Sequence, residues 1–263
     1  MEPKMSASQL NQPKIGFVSL GQGPRLDLDS YHQRLLEQTG IKACVIWRHV
    51  LDGLSHEALG SMAAKDGMPA IRSNLRQSGE HGALGPGWTA RWFDRDSFIP
   101  LVQDAIDDLE VKDGVDLTII CAAEEFPAAS FRSNRPVVLP SIAMAAYGQL
   151  LATTKPTATL GLLVYGDRQR QQQQDGWAAK TWAGDLSLVF CGHGNNLDAA
   201  AEEFRSTIPD LILVWAYGAG VGQGKDGAES LSLKLGVPVI SAAVASISMA
   251  AKLLPRASEK VSS

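Results

Sequence analysis

The amino-acid sequence predicts an α/β fold of two similar lobes, each a mainly parallel sheet flanked by helices, with a ligand cleft between the lobes. Three observations carry this. Short apolar runs alternate with segments of helical period, the pattern of βαβ units. Several runs are continuously apolar, as in Leu211-Ile212-Leu213-Val214-Trp215, which suits strands covered on both faces. Two segments also resemble each other: Val115-Asp116-Leu117-Thr118-Ile119-Ile120-Cys121-Ala122-Ala123 and Pro209-Asp210-Leu211-Ile212-Leu213-Val214-Trp215-Ala216-Tyr217. Each sets Asp-Leu before a buried strand and small residues after it, so an internal duplication is expected.

The strands are expected at Ile15–Leu20, Ala43–Arg48, Ala70–Arg76, Leu117–Cys121, Leu160–Tyr165, Ser187–Cys191, Leu211–Trp215 and Val237–Ile240. Ser30 is placed to cap a helix running to Thr39, with Asp27 and Asp29 just ahead of it. Asp94 or Asp96 caps the helix Phe98–Leu109, whose Phe98, Val102, Ile106 and Leu109 form one apolar stripe. Further helices are expected at Ser141–Leu151, Gln169–Trp182, Leu197–Thr207, Gly227–Leu235 and Ala242–Leu254. In the Gln-rich helix, Gln173 and Gln174 share a face with Trp177 and Ala178, and that face is expected to be exposed. The Gly- and Pro-rich stretch 79–87 reads as a loop, either a plain connection or a lid. The expected division is a flexible start at 1–13, a first lobe of 14–139 plus 241–254, a second lobe of 140–240, and a flexible tail at 255–263.

Of the 263 residues, 45% are hydrophobic, enough for a real core and against disorder as the default. The net charge is −4 and the basic residues are scattered, which gives no footprint for nucleic acid and no polybasic membrane patch. Cys44, Cys121 and Cys191 each fall in an apolar run and read as reduced, buried thiols. The first thirteen residues lack an apolar stretch and no run is long enough to span a membrane, so a cytoplasmic protein is expected.

In open α/β sheets ligands bind beyond the carboxyl ends of strands. Two facing halves therefore direct attention to Ser19–Arg25, Cys121–Glu125, Tyr165–Arg168 and Trp215–Gly220. Gly21-Gln22-Gly23-Pro24-Arg25 after the first strand resembles the opening motif of the AroM protein family. Other segments follow in the family's order: Leu54-Ser55-His56-Glu57, Asp116–Cys121, Leu139-Pro140, Gly161-Leu162-Leu163-Val164, the Gln-rich helix reaching Trp177, and Val237-Pro238-Val239-Ile240-Ser241. The resemblance covers Lys14 to Leu254. It implies a fold similar to the aspartate/glutamate racemase superfamily, whose members use no cofactor and move a proton, or attack a double bond, with facing cysteines. It also implies a homodimer, as for many proteins of that superfold.

The sequence departs from that pattern at the cysteines. Counting six positions on from Asp116 reaches Ala122, and from Asp210 reaches Ala216. Cys121 stands one residue earlier. A shift of one along a strand turns the side chain to the other face, so Cys121 is expected to face the covering helices as a small hydrophobe unless a bulge re-aims it. A two-cysteine racemase is not expected, and a racemase using Cys121 alone is the third reading.

Other residues carry candidate chemistry. Arg25, after a Gly-x-Gly-Pro turn, is placed to hold a carboxylate by paired hydrogen bonds, or to shield Asp27 or Asp29 at the surface. Ser19, Gly21 and Gln22 would add hydroxyl, backbone and amide donors. Glu124 and Glu125 occupy positions where the superfamily places small hydroxyl residues. Glu124 in a closed cleft is a candidate base with a raised pKa, or else a helix-start carboxylate. Tyr217 is a candidate proton donor or a lining group. The glycines Gly218, Gly220, Gly222 and Gly224 allow close backbone approach. Ala122, Ala123, Tyr165 and Ala216 complete the expected lining.

His193 has no partner at metal-ligand spacing except Cys191 and reads as a turn residue before a helix capped by Asn195 or Asn196, so no metal is expected. His32, His49, His56 and His81 form no recognisable triad. Two functions follow: a cofactor-independent isomerase or lyase acting on a small carboxylate-bearing metabolite, or an inactive small-molecule-binding or regulatory protein that kept the cleft.

Overall fold

The computed structural model of the protein describes residues 12–76, 88–194, 196–219 and 227–254. The loop 79–87 and its reading as a lid lie outside the described residues, as do Asn195, Gly220, Gly222, Gly224 and, apart from residues 12 and 13, the two expected flexible ends.

Two four-stranded parallel sheets form the scaffold. The first contains β1 (Lys14–Ser19), β2 (Cys44–His49), β5 (Leu117–Cys121) and β6 (Val137–Val138), in the order β2-β1-β5-β6. The second contains β7 (Thr159–Leu163), β8 (Ser187–Cys191), β9 (Leu211–Val214) and β10 (Val239–Ser241), in the order β8-β7-β9-β10. The two orders superimpose strand for strand, the arrangement expected of a duplication.

The shared Asp-Leu has a physical reason in this frame. Asp116 donates its backbone N–H to Lys14 O at 2.9 Å, and its Oδ2 accepts from Lys14 N at 2.9 Å. Asp210 does the same toward Thr159, at 2.8 and 2.9 Å. Each aspartate closes the start of the central strand pair of its lobe, satisfying backbone groups that the parallel ladder leaves over. The duplication is broken by an insertion in the first half. Here β3 (Ala70–Arg76) and β4 (Trp88–Asp94) form an antiparallel two-stranded sheet, preceded by α2 (His56–Ser61).

Helices cover the sheets: α1 (Leu26–Gln38), α3 (Phe98–Asp108), α4 (Pro140–Thr154), α5 (Gly166–Ala178), α6 (Leu197–Arg205), α7 (Ala228–Leu235) and α8 (Ala242–Leu253). Alternate strand residues enter different cores. Ile119 and Cys121 join a core shared by both lobes with Phe17, Leu160, Leu162, Leu213 and Trp215, whereas Ile120 and Ala122 face an outer core of the first lobe. Strands buried on both faces are why their sequences read as unbroken apolar runs.

Several elements differ from expectation. Helix α1 begins at Leu26 with Arg25 at the cap position. Ser30 lies inside the helix, its hydroxyl bonded to Leu26 O at 2.8 Å, and Asp27 and Asp29 occupy the first turn, where carboxylates complement the helix dipole. Asp94 does serve the start of α3: its Oδ2 accepts from Ser97 N at 3.0 Å and Ser97 Oγ at 2.7 Å. That helix ends in a π turn, Leu109–Asp113, closed by Gly114 at φ 64°, a left-handed position that favours glycine. The Gln-rich face is a correction. Gln169, Gln173 and Trp177 recur every fourth residue and are all buried, while Gln171, Gln174 and Ala178 take the solvent side. Among the described residues, no helix is long and apolar enough to cross a membrane.

Candidate functional site

The carboxyl ends of β1, β5, β7 and β9 converge on one cavity of about 60 Å³, measured as the space open to the centre of a water molecule. Among the sequence candidates, Ser19, Gly21, Arg25, Cys121, Ala122, Ala123, Glu124, Tyr165, Tyr217 and Gly218 line it. Two do not. Ala216 is buried in the outer core of the second lobe. Gln22 anchors the inserted hairpin instead: its N–H donates to Asn74 O at 3.1 Å and its Oε1 accepts from Arg76 N at 2.9 Å. Gly21 makes that docking possible, because a Cβ there would stand 3.0 Å from Asn74 O. The hairpin therefore adds Ile71, Arg72, Ser73 and Asn74 to the lining, a wall that the sequence reading did not include.

The wall from α1 and β3 is cationic. Arg25 is 7% exposed and bidentate to Asp27, with Nε to Oδ1 at 2.9 Å and Nη2 to Oδ2 at 2.8 Å. The ion pair is thus buried rather than at the surface, and Nη1 has no hydrogen-bond partner among the described residues. Arg72 carries its guanidinium carbon 4.7 Å from the centroid of the Tyr165 ring, and no described carboxylate pairs with it. Ser73 Oγ, on the same strand, is buried without a hydrogen-bond partner among the described residues. An arginine facing a cavity with no counter-charge attracts an anion.

The cavity lining also holds a proton carrier. Glu124 is 8% exposed and follows β5; burial raises its pKa from 4.5 to about 7, against a smaller lowering by Gln169. Gln169 Nε2 donates to Glu124 Oε1 at 2.6 Å. The amide orientation is set by its other end, where Oε1 accepts from Tyr165 N at 2.7 Å. Glu124 therefore stands near balance between its two protonation states at neutral pH.

A buried chain leads away from the third wall. His32, in the middle of α1, makes one ring contact to Leu28 O at 2.6 Å through Nδ1 and one to Tyr217 Oη at 2.8 Å through Nε2. A carbonyl can only accept, so Nδ1 carries the hydrogen. Burial lowers the His32 pKa to about 4, which keeps the ring neutral, so Nε2 is the acceptor and Tyr217 directs its O–H to His32. Tyr217 then presents an acceptor oxygen to its remaining neighbours. Giving its proton to a ligand would break the bond to His32. His32 escaped the sequence reading because its partner lies 185 residues away.

Cys121 is the mixed case. It is buried in the core shared by both lobes, as a small hydrophobe would be, but it does not turn away from the cleft: it lines the cavity, with its thiol against the Tyr217 hydroxyl. The strand end explains this: Ala122 N–H bonds to Ile120 O at 2.8 Å, a tight turn that brings four successive residues to the cavity. Burial pushes the thiol up to about 12, so it stays protonated. Elsewhere, His193 contacts Glu203 at 3.5 Å and Asn196 caps α6 by accepting from Ala199 N at 3.1 Å.

No curated protein matches the chain in sequence. Among solved structures, allantoin racemase from Klebsiella pneumoniae is 15% identical, with a TM-score of 0.49 over 92% of this chain and 87% of that one. Glutamate racemase from Campylobacter jejuni subsp. jejuni is 14% identical, with a TM-score of 0.48 over 90% and 83%. The family model described as AroM protein matches residues 15–254, which takes in both sheets and every wall of the cavity, and the chain belongs to that family.

Proposed function

We propose that this protein is a cofactor-independent enzyme acting on a small carboxylate-bearing metabolite, by isomerisation, elimination or decarboxylation. The observation that carries the reading is the meeting, in the lining of one cavity, of an arginine paired with no described carboxylate and a carboxyl group balanced near neutral pH. Arg72 and Nη1 of Arg25 hold the substrate carboxylate by charge-assisted hydrogen bonds. Ionised Glu124 takes a proton from the carbon beside that carboxylate and becomes a carboxylic acid. The electron pair left on carbon moves into the substrate carboxylate, where the arginines stabilise the added charge. Return of that proton from Glu124 to a different carbon of the substrate gives isomerisation, and departure of a leaving group with its bonding electron pair gives elimination. For decarboxylation the carboxylate leaves as CO2 and protonated Glu124 supplies the replacing proton. Tyr217, fixed by His32, orients an acceptor toward the substrate.

The second reading is a binding or regulatory protein that kept the cavity and lost the chemistry. Two features favour it: the counted positions Ala122 and Ala216 carry no thiol, and Cys121 is held protonated.

A thermal-shift screen of small acids tests the substrate class. At a hundred times its Kd, a ligand of the folded state adds about 2.7 kcal/mol, or roughly 5–10 °C in a domain of this size. Amino and dicarboxylic acids, hydantoins, arylmalonates and shikimate-pathway acids form the panel. Arg72→Gln is the informative control, because it removes the charge without leaving a buried carboxylate unpaired. A shift present in wild type and absent in Arg72→Gln is expected; a shift indifferent to Arg72, or none, refutes the acid-binding reading.

A further inference from the structure

The bond between Gln169 and Glu124 joins elements of the two sheets. Glu124 follows β5 of the first, and Gln169 lies near the start of α5, which follows β7 of the second. Both side chains are buried. The amide cannot turn over. Its Oε1 accepts from Tyr165 N, a group that can only donate, so Nε2 is committed to Glu124 Oε1 at 2.6 Å. The reversed amide would set N–H against N–H at Tyr165 and oxygen against oxygen at Glu124.

This gives the two oxygens of Glu124 different roles. An N–H donor suits a carboxylate oxygen, and it suits the carbonyl oxygen of the acid, but it repels an O–H directed at it. The proton of the acid form therefore sits on Oε2, which makes no hydrogen bond among the described residues and is not sealed from solvent. Gln169 donates to the same oxygen before and after proton transfer, so no rearrangement accompanies the change of charge.

Other charged and titratable groups stand near Glu124 without bonding to it. The cavity also holds Arg25, Arg72, Cys121, Tyr165 and Tyr217. Glu124 borders a second cavity too, with Arg95, Glu125, Arg168 and Asp175. Of these, Arg25 is committed to Asp27, Glu125 to Lys180, and Arg168 to two backbone carbonyls. Burial and the Gln169 hydrogen bond are the causes that set the Glu124 equilibrium.

We propose that Gln169 is a positioning residue for the reaction: locked by Tyr165 N–H, it holds Oε1 of Glu124 and leaves Oε2 as the oxygen that takes and returns the substrate proton. The inference rests on the reading of Glu124 as the base.

Infrared and NMR titrations of the full chain, with no acid added, test it. The C=O stretch of protonated Glu124, isolated by difference against Glu124→Gln, should be lowered by the bond to Gln169 and should rise in Gln169→Leu. A proton on Oε1 would leave Oε2 as the carbonyl, and the substitution would not move the band. The carboxyl-carbon midpoint of Glu124 should climb by about one pH unit in Gln169→Leu, the worth of a hydrogen bond to a charged group. Gln169→Glu sets two carboxyl oxygens face to face, so the pair should share a proton and titrate in two coupled steps, the upper midpoint above that of wild type. In wild type, without any substitution, the Nε2 protons of Gln169 should shift with the same midpoint as the Glu124 carboxyl carbon, about 7. Gln169→Leu leaves Tyr165 N–H unpaired, and where it fails to fold, Gln169→Glu and the wild-type amide signals decide. An unmoved C=O band, an ordinary single titration in Gln169→Glu, or amide protons silent through the Glu124 titration overturns the inference and leaves the acid-binding reading standing. If the titrations come out as expected and no acid of the screen binds, the acid-binding reading fails, and with it the role of Gln169 in a reaction.

Discussion

Replacing Glu124 by glutamine should stabilise the protein, and only above a defined pH. The side chain keeps its shape and its acceptor oxygen toward Gln169, so the substitution removes the charge and little else. Burial holds the folded-state pKa at about 7 against 4.5 for an ordinary glutamate. Between those values the folded chain retains a proton that the unfolded chain has released, so wild-type stability falls as pH rises through the window. At 1.36 kcal/mol per pH unit the displacement corresponds to about 3 kcal/mol, with little solvent to screen a residue 8% exposed. Urea unfolding of both proteins from pH 4 to pH 8 reads the difference directly, provided the m-values agree. Glu124→Gln should match wild type near pH 4 and exceed it by a growing margin that levels off at about 3 kcal/mol above pH 7. A difference that stays constant with pH, or a variant less stable than wild type at pH 8, would refute burial as the cause of the raised pKa of Glu124.

His32 titrates with the opposite sign. Its folded pKa is lowered from 6.5 to about 4, so its contribution is complete above pH 6.5 and is lost as pH falls toward 4, again by about 3 kcal/mol. The two slopes oppose each other in wild type between pH 4.5 and 6.5, and Glu124→Gln should expose a rising limb there that adding His32→Gln removes. Tyr217→Phe strips the donor from His32 Nε2 and should cost about 1–3 kcal/mol; the ¹⁵N shifts of His32 should show protonated Nδ1 and bare Nε2 in wild type. Arg25→Ala leaves Asp27 buried and unpaired and should cost about 3–5 kcal/mol, whereas Arg25→Met with Asp27→Leu should recover most of that loss. Chemical denaturation of the three proteins checks it.

The scaffold of this fold was legible because its strands are buried on both faces. Leu117–Cys121 and Ser187–Cys191 were placed to the residue, and the repeated Asp-Leu pointed to the two central strands whose ends form the cavity. The inserted hairpin was only half legible. Its second arm, Trp-Thr-Ala-Arg-Trp-Phe-Asp, mixes aromatic and charged residues because most of that strand is not covered, so it lacks the apolar run that marks a central strand. The consequence fell on the site, since Arg72, Ser73 and Asn74 reach the cavity only through that hairpin and its docking at Gly21. The buried glutamine face of α5 was missed for a different reason. Polar side chains at helical spacing read as a solvated surface, and only the packing shows that a second polar surface stands opposite. His32 left no signal at all, because a lone histidine within a helix acquires meaning from Tyr217 and from nothing near it in sequence.

The measurement closest to the central claim is the exchange of carbon-bound hydrogen in ²H2O. An acid found by the screen is incubated with wild type, Glu124→Gln and Arg72→Gln, and the proton beside its carboxylate is followed by ¹H NMR. The account predicts that wild type replaces that proton with deuterium, that Glu124→Gln binds the acid without exchange, and that Arg72→Gln does neither. Exchange that persists in Glu124→Gln would contradict the assignment of the base, and an acid that binds wild type through Arg72 yet never exchanges or reacts would establish a binding protein in place of an enzyme.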